Sequence, residues 1–456
     1  MNNITTTLHN TLKPLIDTHG NIELIIAYSG GIDSQVLLHA LTQLKQNKHI
    51  CNEITVCHVN HGLSKNAENW QEFAKQECIK LSVNFIVKHV NVQIKAQLSL
   101  EALARDARYD ALKSLRSKRS IVLTGHHSDD QSETFLLALK RGAGLKGLSA
   151  MSAQTQLAQH LLVRPLLSVS RREIEAYADV NQLTWVEDES NTDTCFDRNF
   201  IRHKIMPLLR ERWPSINNTI NRSASHCLAG QELLDELAEQ DLSHCRLSDN
   251  SLHVKALIEL SDARFNNLLR FFLNHHHCLM PSTEQLKQVR LQLVAKDDKN
   301  PEIKVAKHFF RRFKGTLFLT PEYKDISDWK TSINLGEGDS EITLPDHLGR
   351  LVFSHPRAKD KQLAYICLPK QEQQVSVRFS HDNPKCLPDF RQRSRSLKKV
   401  LQELDIAPWQ RKRIAFLYYD DELVAAIGHF ICQPFIVNDA ELGLHVSQGD
   451  LRESTE

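Results

Sequence analysis

Residues 24–41 constrain this chain more than any other stretch. The apolar run Leu24-Ile25-Ile26-Ala27-Tyr28 has strand length and stops at Ser29-Gly30-Gly31-Ile32-Asp33-Ser34, after which Val36-Leu37-Leu38-His39-Ala40-Leu41 resumes with a helical apolar pattern. That order predicts a strand, a tight turn and a helix N-terminus. Gly30 and Gly31 can admit a ligand to the backbone. Ser29 and Ser34 add hydroxyls, and the first N–H groups of a helix have no partner inside it. The loop therefore suits an anion, phosphate above all. The spacing G-x-x-x-x-G-K-[ST] is absent, and no Lys follows the glycines. Asp33 sits inside the loop instead and would repel phosphate unless a cation bridges the two. Mg²⁺ is the natural bridge, because it takes oxygen ligands and substrate phosphates. Ser29, Gly30, Gly31, Ile32, Asp33 and Ser34 are thus the expected phosphate-binding set, with Asp33 as the metal ligand. The plain alternative is a Gly-Gly turn without function.

Strand-length apolar runs at 54–59, 84–90, 121–124 and 161–167 alternate with helical patterns at 67–81, 100–115 and 130–139. The alternation predicts an α/β fold with a doubly wound parallel sheet and helices on both faces. Ligands in such sheets bind beyond the carboxyl ends of the strands. Polar clusters fall at those ends: the first-strand loop, His58 to Leu63 after the second strand, and Gly125-His126-His127-Ser128-Asp129-Asp130-Gln131-Ser132-Glu133-Thr134 after the fourth. A helix cap explains one Asp, but not two His, two Asp and a Glu together. Asp130 is therefore a catalytic candidate. His58 and His126 are expected to contact nucleotide rather than zinc, because no Cys lies near.

Arg105 and Arg108 lie one helical turn apart, either as a solvated face or as charge compensation for polyphosphate or RNA. Lys140-Arg141-Gly142-Ala143-Gly144 is a basic, glycine-rich loop suited to a large anionic substrate, or a connector. Ser170 and Glu173 form a capping box. Arg198 and Arg202, four apart on one face, would stabilise developing charge near a reacting phosphate.

A chain of 456 residues with net charge +2 requires several domains, but neither demands nor excludes a nucleic-acid partner, so local clustering must decide. No run has the length of a membrane span and no leader pattern is visible, so the expectation is a cytoplasmic protein with no membrane partner. Ten Cys without a C-x-x-C pair exclude a zinc ribbon or a redox pair. Helical patterns cover 216–242, 253–260, 263–273 and 284–294. Phe309, Phe310, Phe313, Leu317 and Phe318, interleaved with Arg311, Arg312 and Lys314, are a core face or an RNA face. Residues 325–369 are strand-rich, with turns at Gly336-Glu337-Gly338 and His347-Leu348-Gly349. The run containing Arg391, Arg393, Arg395, Lys398 and Lys399 has only Glu403 and Asp405 against it, so these cations are expected to meet RNA phosphates. The expected division is a catalytic domain at 1–214, a mostly helical middle domain at 215–325, a linker or small β region at 326–370, and an RNA-binding domain at 371–450.

The Ser-Gly-Gly-Ile-Asp-Ser loop resembles the signature of the PP-loop ATP pyrophosphatases, which cleave ATP between the α- and β-phosphates and leave AMP on a substrate oxygen. Together with residues 58–63, 104–109, 125–134 and 197–202 and the basic glycine loop, the chain resembles the tRNA(Ile)-lysidine synthases of that superfamily over nearly its whole length. It departs at Ser64, where many relatives carry Arg. The resemblance implies a PP-loop (adenine nucleotide alpha hydrolase-like) domain, a helical middle domain and a small α+β C-terminal domain. It implies ATP and Mg²⁺ as cofactors, and L-lysine and the CAU-anticodon tRNA(Ile) as partners. The implied reaction ligates lysine to C2 of the wobble cytidine through an adenylated intermediate, releasing AMP and pyrophosphate. The product reads AUA instead of AUG and accepts isoleucine instead of methionine.

Asp33, Asp130 and Arg198 are the implied catalytic residues, although sequence alone does not separate Arg198 from Arg202. Asp130 would ligate the metal, orient the lysine amine or take its proton. Arg105, Arg108, Lys140, Arg141 and Arg202 are the implied RNA contacts beside Arg393, Arg395, Lys398 and Lys399. A homodimer is left open. The rivals are a tRNA thiolase, an NAD or GMP synthetase, and a non-catalytic tRNA-binding protein with a relict loop. The missing C-x-x-C disfavours the first, the basic C-terminal module the second, and the intact Ser29, Asp33, Ser34 and Asp130 the third.

Overall fold

The alternating apolar runs of the first half close into one sheet. A computed structural model describes residues 3–92, 100–115, 119–294, 301–335, 339–354, 365–437 and 443–449. The chain divides into two compact units, residues 1–237 and 238–456.

The first unit contains α1 (Asn3–His19), β1 (Glu23–Tyr28), α2 (Ile32–Gln46), β2 (Ile54–Asn60), α3 (Ala67–Leu81), β3 (Asn84–His89), α4 (Leu100–Lys113), β4 (Ser120–Leu123) and α5 (Ser128–Lys140). It continues with α6 (Leu145–Leu148), β5 (Gln154–Leu157), β6 (His160–Val163), α7 (Arg171–Val180), α8 (Asp197–Phe200), a π turn at Ile201–Ile205, α9 (Met206–Arg212) and the start of α10 (Ile216–Cys245).

The strand order is β3-β2-β1-β4-β6-β5. The first five strands are parallel and β5 runs antiparallel on the edge of β6. Alternate residues of the central strands face opposite layers. Leu24, Ile26, Ile121 and Leu123 pack with Val36, Leu37 and Leu41 of α2 on one face. Ile25, Cys57 and Val122 pack with Leu112 on the other. Strand order reverses between β1 and β4, and that is where an open α/β sheet forms its ligand crevice.

Two local expectations change. The strand expected over 161–167 ends at Val163, and its hairpin partner β5 carried no sequence signal because three of its four residues are exposed. The helix expected to start at Asp130 starts at Ser128 with His127 as N-cap, so Asp129 and Asp130 lie in its first turn.

In the second unit, helices Val254–Glu259, Asp262–His275 and Thr283–Val294 pack on a five-stranded antiparallel sheet that includes Ser251–His253, Thr316–Pro321, His308–Phe313 and Glu302–Val305. The stretch read as mostly helical is therefore a helix-on-sheet layer around Phe265, Phe272 and Phe310. Residues set apart as a linker, 326–370, contribute strands to the same sheets as the residues after them. Lys330–Ile333 pairs with Val375–Arg378, and Arg350–Ser354 pairs with Gly443–Gly449. Ile326, Leu351, Phe353 and Ile366 share one core with Val377, Leu417 and Val424. Of the two turns expected there, Gly336–Gly338 lies outside the described residues. The other stands, with Gly349 at φ +81° and a bond from Leu344 N–H to Gly349 O. Among the described residues no helix is long and apolar enough to cross a membrane.

Candidate active site

The loop after β1 is braced by its own hydroxyls. Ser34 Oγ donates to Gly31 O at 2.9 Å, lies 3.2 Å from Ser29 Oγ and accepts from Gly30 N–H at 3.2 Å. Gly31 is the N-cap of α2 and offers no side-chain cap, so the opening N–H groups of the helix stay available to an anion. Gly30 has φ +90°, and a Cβ there would lie 2.7 Å from Val186 Cγ2 of the segment that crosses the loop. That segment is fixed by a bond from Val186 N–H to Gly30 O at 3.0 Å. A second close approach joins two strand ends: a Cβ on Gly125, after β4, would lie 2.9 Å from both the carbonyl carbon and oxygen of Asp33.

Around this contact a set of carboxylates meets a set of arginines. Arg171 Nη1 donates to both Asp33 oxygens, at 2.9 and 3.1 Å. His127 Nε2 lies 3.6 Å from Asp33 Oδ1 and 3.5 Å from Asp130 Oδ2, bridging the β1 and β4 loops. Asp130 Oδ2 also accepts the His127 backbone N–H at 3.1 Å, and Asp130 Oδ1 faces Arg198 Nη2 at 3.3 Å and Arg202 Nη2 at 3.1 Å. Glu133, buried one turn further along α5, accepts Arg198 Nε at 2.9 Å, Arg202 Nε at 2.7 Å and Arg202 Nη2 at 2.9 Å. Asp129 is held by Arg210, by Asn217 Nδ2 at 2.9 Å and by the Arg171 backbone N–H at 3.0 Å.

These surroundings separate the two candidate carboxyls, Asp33 and Asp130. Burial and the nearby Asp130 charge raise the Asp33 pKa above its ordinary value, although His127 and Arg171 pull against them. At Asp130, burial also acts upward, but His127, Arg198 and the His127 backbone N–H outweigh it and hold the carboxyl down at about 2. A carboxylate that acidic is a poor proton acceptor at neutral pH. Of the three roles expected for Asp130, proton acceptance is the one its environment disfavours.

His126, His58 and His61 are all shifted toward the neutral form. His126 bonds Thr124 Oγ1 through Nδ1 at 2.8 Å, and burial drives its pKa down to about 3. His58 donates from Nδ1 to Tyr28 O at 3.1 Å and is likewise lowered, chiefly by burial. His61 falls to about 4 through burial, helped by the Arg108 charge. Arg108 thus stands at the carboxyl end of β2, while Arg105 stacks over Tyr109 at 5.7 Å with its guanidinium in the open. Lys140 is committed to Asp197 at 2.7 Å, both of them exposed, and Arg141 is exposed. Arg202, expected to meet RNA, sits beside Arg198 on Asp130 and Glu133.

Arg171 and Arg210 were not singled out from sequence as site residues, and Gly125 and Glu133 entered only as members of the 125–134 cluster, with no role of their own. A signal existed for Arg171: a cation in the first turn of a helix opposes the helix dipole and calls for an anion elsewhere.

In the second unit, Arg391 and Arg395 share Glu403, and Asp405 takes Lys314. Arg393, Lys398 and Lys399 are exposed. Arg311 and Arg312 are buried. Arg311 pairs with Glu302 at 2.7 Å and stacks near Phe309, Tyr323 and Trp409. Phe310, Arg311, Arg312 and Leu317 of the interleaved stretch therefore lie in the core, while Phe309, Phe313 and Phe318 are half-buried and Lys314 is exposed.

With this geometry in place, comparison with known proteins is informative. A PP-loop domain matches residues 3–209, the TilS substrate binding domain matches 252–318, and the TilS substrate C-terminal domain matches 375–447. The chain is similar to the tRNA(Ile)-lysidine synthase of Serratia proteamaculans, with 42% identity over 90% of this chain and 92% of that one. It is similar to the tRNA(Ile)-lysidine synthase of Coxiella burnetii at 38% identity over 95% of each chain. Among solved structures, a U34-tRNA thiolase from Methanococcus maripaludis matches 50% of this chain and 78% of its own at 16% identity, with a TM-score of 0.43. The high identity over nearly full length, on a chain whose PP-loop meets its acidic partner loop at the sheet's switch point, settles the family: this chain belongs to the tRNA(Ile)-lysidine synthases.

Proposed function

We propose that the crevice beyond β1, β2 and β4 seats ATP and directs AMP onto the C2 oxygen of the wobble cytidine of the CAU-anticodon tRNA(Ile), with pyrophosphate leaving. The ε-amine of L-lysine then attacks C2, AMP leaves with the oxygen, and lysidine remains. The observation that carries this reading is the contact of Gly125 with Asp33, with His127 spanning Asp33 and Asp130. It brings a phosphate cradle, a carboxylate of raised pKa and a strongly acidic one to a single point.

The loop amides and the Ser29 and Ser34 hydroxyls cradle the β- and γ-phosphates. Mg²⁺ fits this donor set, since the Asp33 carboxylate lies in the uncapped first turn of α2 beside the Ser29 and Ser34 hydroxyls, all oxygen donors. Among the described residues no group of three or more His, Cys, Asp or Glu is arranged to hold a metal. A cation completed by nucleotide oxygens and water needs no such group. When bound, it neutralises the leaving pyrophosphate and polarises the α-phosphate. Neutral His58 and His126 offer hydrogen bonds to the nucleoside without competing for phosphate. Arg198 and Arg202, fixed by Asp130 and Glu133, place positive charge where the α-phosphate becomes more negative. Asp130 remains ionised and orients the incoming amine. Arg393, Lys398 and Lys399 supply phosphate contacts to the tRNA, each adding to affinity and to its salt dependence.

The test is ATP–pyrophosphate exchange with and without the tRNA, followed by mass spectrometry of the anticodon nucleoside after incubation with lysine or arginine. Exchange that requires the tRNA, and a mass gain with lysine alone, is the expected result. Exchange without RNA, or a product with arginine, refutes the reading.

A further inference from the structure

We propose that Arg171 is a positioning residue that holds the Asp33 carboxylate in place of the metal ion before the cation arrives, and that it is exchanged for that ion when the metal–nucleotide binds. The inference rests on Asp33 as the metal ligand, as assigned above. Its basis is geometric. One guanidinium nitrogen sits between both Asp33 oxygens, at 2.9 and 3.1 Å. An oxygen-seeking divalent ion would approach the carboxylate from the same side, at about 2.0–2.1 Å. The two cations cannot share that position, since at such separations they repel and compete for the same lone pairs.

The residue is built for exchange rather than for permanent burial. Its side chain is 38% exposed and that of Asp33 is 32% exposed, whereas Glu133, which anchors the neighbouring arginines, is 4% exposed. Arg171 Nε is tethered to Glu175 Oε1 at 2.8 Å, and its backbone N–H is pinned to Asp129 Oδ2 at 3.0 Å. A guanidinium released from Asp33 therefore stays at the mouth of the crevice, tied to Glu175, where an incoming phosphate oxygen can replace the carboxylate it has lost. The Asp33–Arg171 pair also explains a cation placed against the dipole at the start of α7.

The experiment is Mn²⁺ binding, followed by electron paramagnetic resonance, on the full-length protein without nucleotide. Arg171→Gln should tighten Mn²⁺ binding on the order of three- to ten-fold, since it removes a partly exposed competing cation. Arg171→Lys, which keeps the charge but loses the Glu175 tether, should fall between the two and serves as the reading if the Gln variant fails to fold. Asp33→Asn in either background should abolish the site. Equal or weaker Mn²⁺ binding in both Arg171 variants overturns the exchange, because an Arg171 that merely stabilised the fold would not tighten a metal site. If Asp33→Asn leaves Mn²⁺ binding unchanged in every background, the metal assignment at Asp33 falls as well. If Asp33→Asn abolishes binding but the Arg171 variants do not tighten it, only the exchange falls.

Discussion

Glu133→Gln is the substitution whose consequence the geometry specifies most fully. Glu133 accepts three hydrogen bonds from two guanidiniums, and its side chain is 4% exposed beside Arg198 at 15% and Arg202 at 34%. The amide keeps the shape but loses the charge, and its nitrogen turns a donor toward donors. Removing one partner of a buried ion pair costs about 3–5 kcal/mol. Here Asp130 still compensates both arginines and Arg202 is partly hydrated, so the expected cost is smaller, about 2–4 kcal/mol. For a unit of this size that corresponds to a fall in Tm on the order of 5–15 °C. The chain has two units, so the assay is differential scanning calorimetry, reading the transition that shifts when ATP is added. Arg198 and Arg202 also lose their fixed geometry, so kcat should fall by about ten- to a hundred-fold with little change in tRNA affinity. A cycle with Arg202→Met should show coupling of at least about 1 kcal/mol. A Tm within 1–2 °C of the parent (about 0.5 kcal/mol), or strict additivity in the cycle, refutes the argument that Glu133 fixes the arginines.

Other outcomes follow from the same coordinates. Gly125→Ala should raise the ATP KM at least about ten-fold, because its Cβ meets backbone atoms that cannot swing away; an unchanged KM would show that the two loops need not touch. Glu403→Gln frees Arg391 and Arg395 and should tighten tRNA binding and steepen its salt slope by about one unit, whereas neutralising Arg393, Lys398 and Lys399 should flatten it; filter binding across a salt series decides. His61 and His126 stay neutral in the folded protein down to about 4 and about 3, while the unfolded chain protonates them near 6.5. Their contribution is therefore fully present above about pH 6.5 and is lost as pH falls toward those folded values. The urea midpoint should drop between pH 7.5 and 5, and less steeply in His126→Gln; equal slopes in variant and parent would refute the assignment.

Much of the first unit was legible because its information is local. An apolar run between polar ends makes β1, β2 and β4 whatever surrounds them. Ser170 with Glu173 caps α7 as the spacing required, with Ser170 Oγ accepting the Glu173 N–H. The second unit was harder to read because short strands with half-exposed faces, such as Ser340–Thr343, resemble loops until a partner is known.

By itself, then, the sequence determined that a strand must break into a glycine turn and a helix start, and that acidic and histidine-bearing residues must follow another strand of the same sheet. What it could not contain was the pairing. That Glu133 serves two arginines from residues 198–202, that Arg171 sits on Asp33, that Gly125 admits the neighbouring loop, and that Arg311 is buried among aromatic rings are all contacts between residues distant in the chain. Such contacts depend on strand order and helix rotation, which no local pattern encodes. The physical reason is one of range: hydrogen bonding and periodicity act over a few residues, whereas the cost of placing a charge depends on every atom that surrounds it in the folded chain.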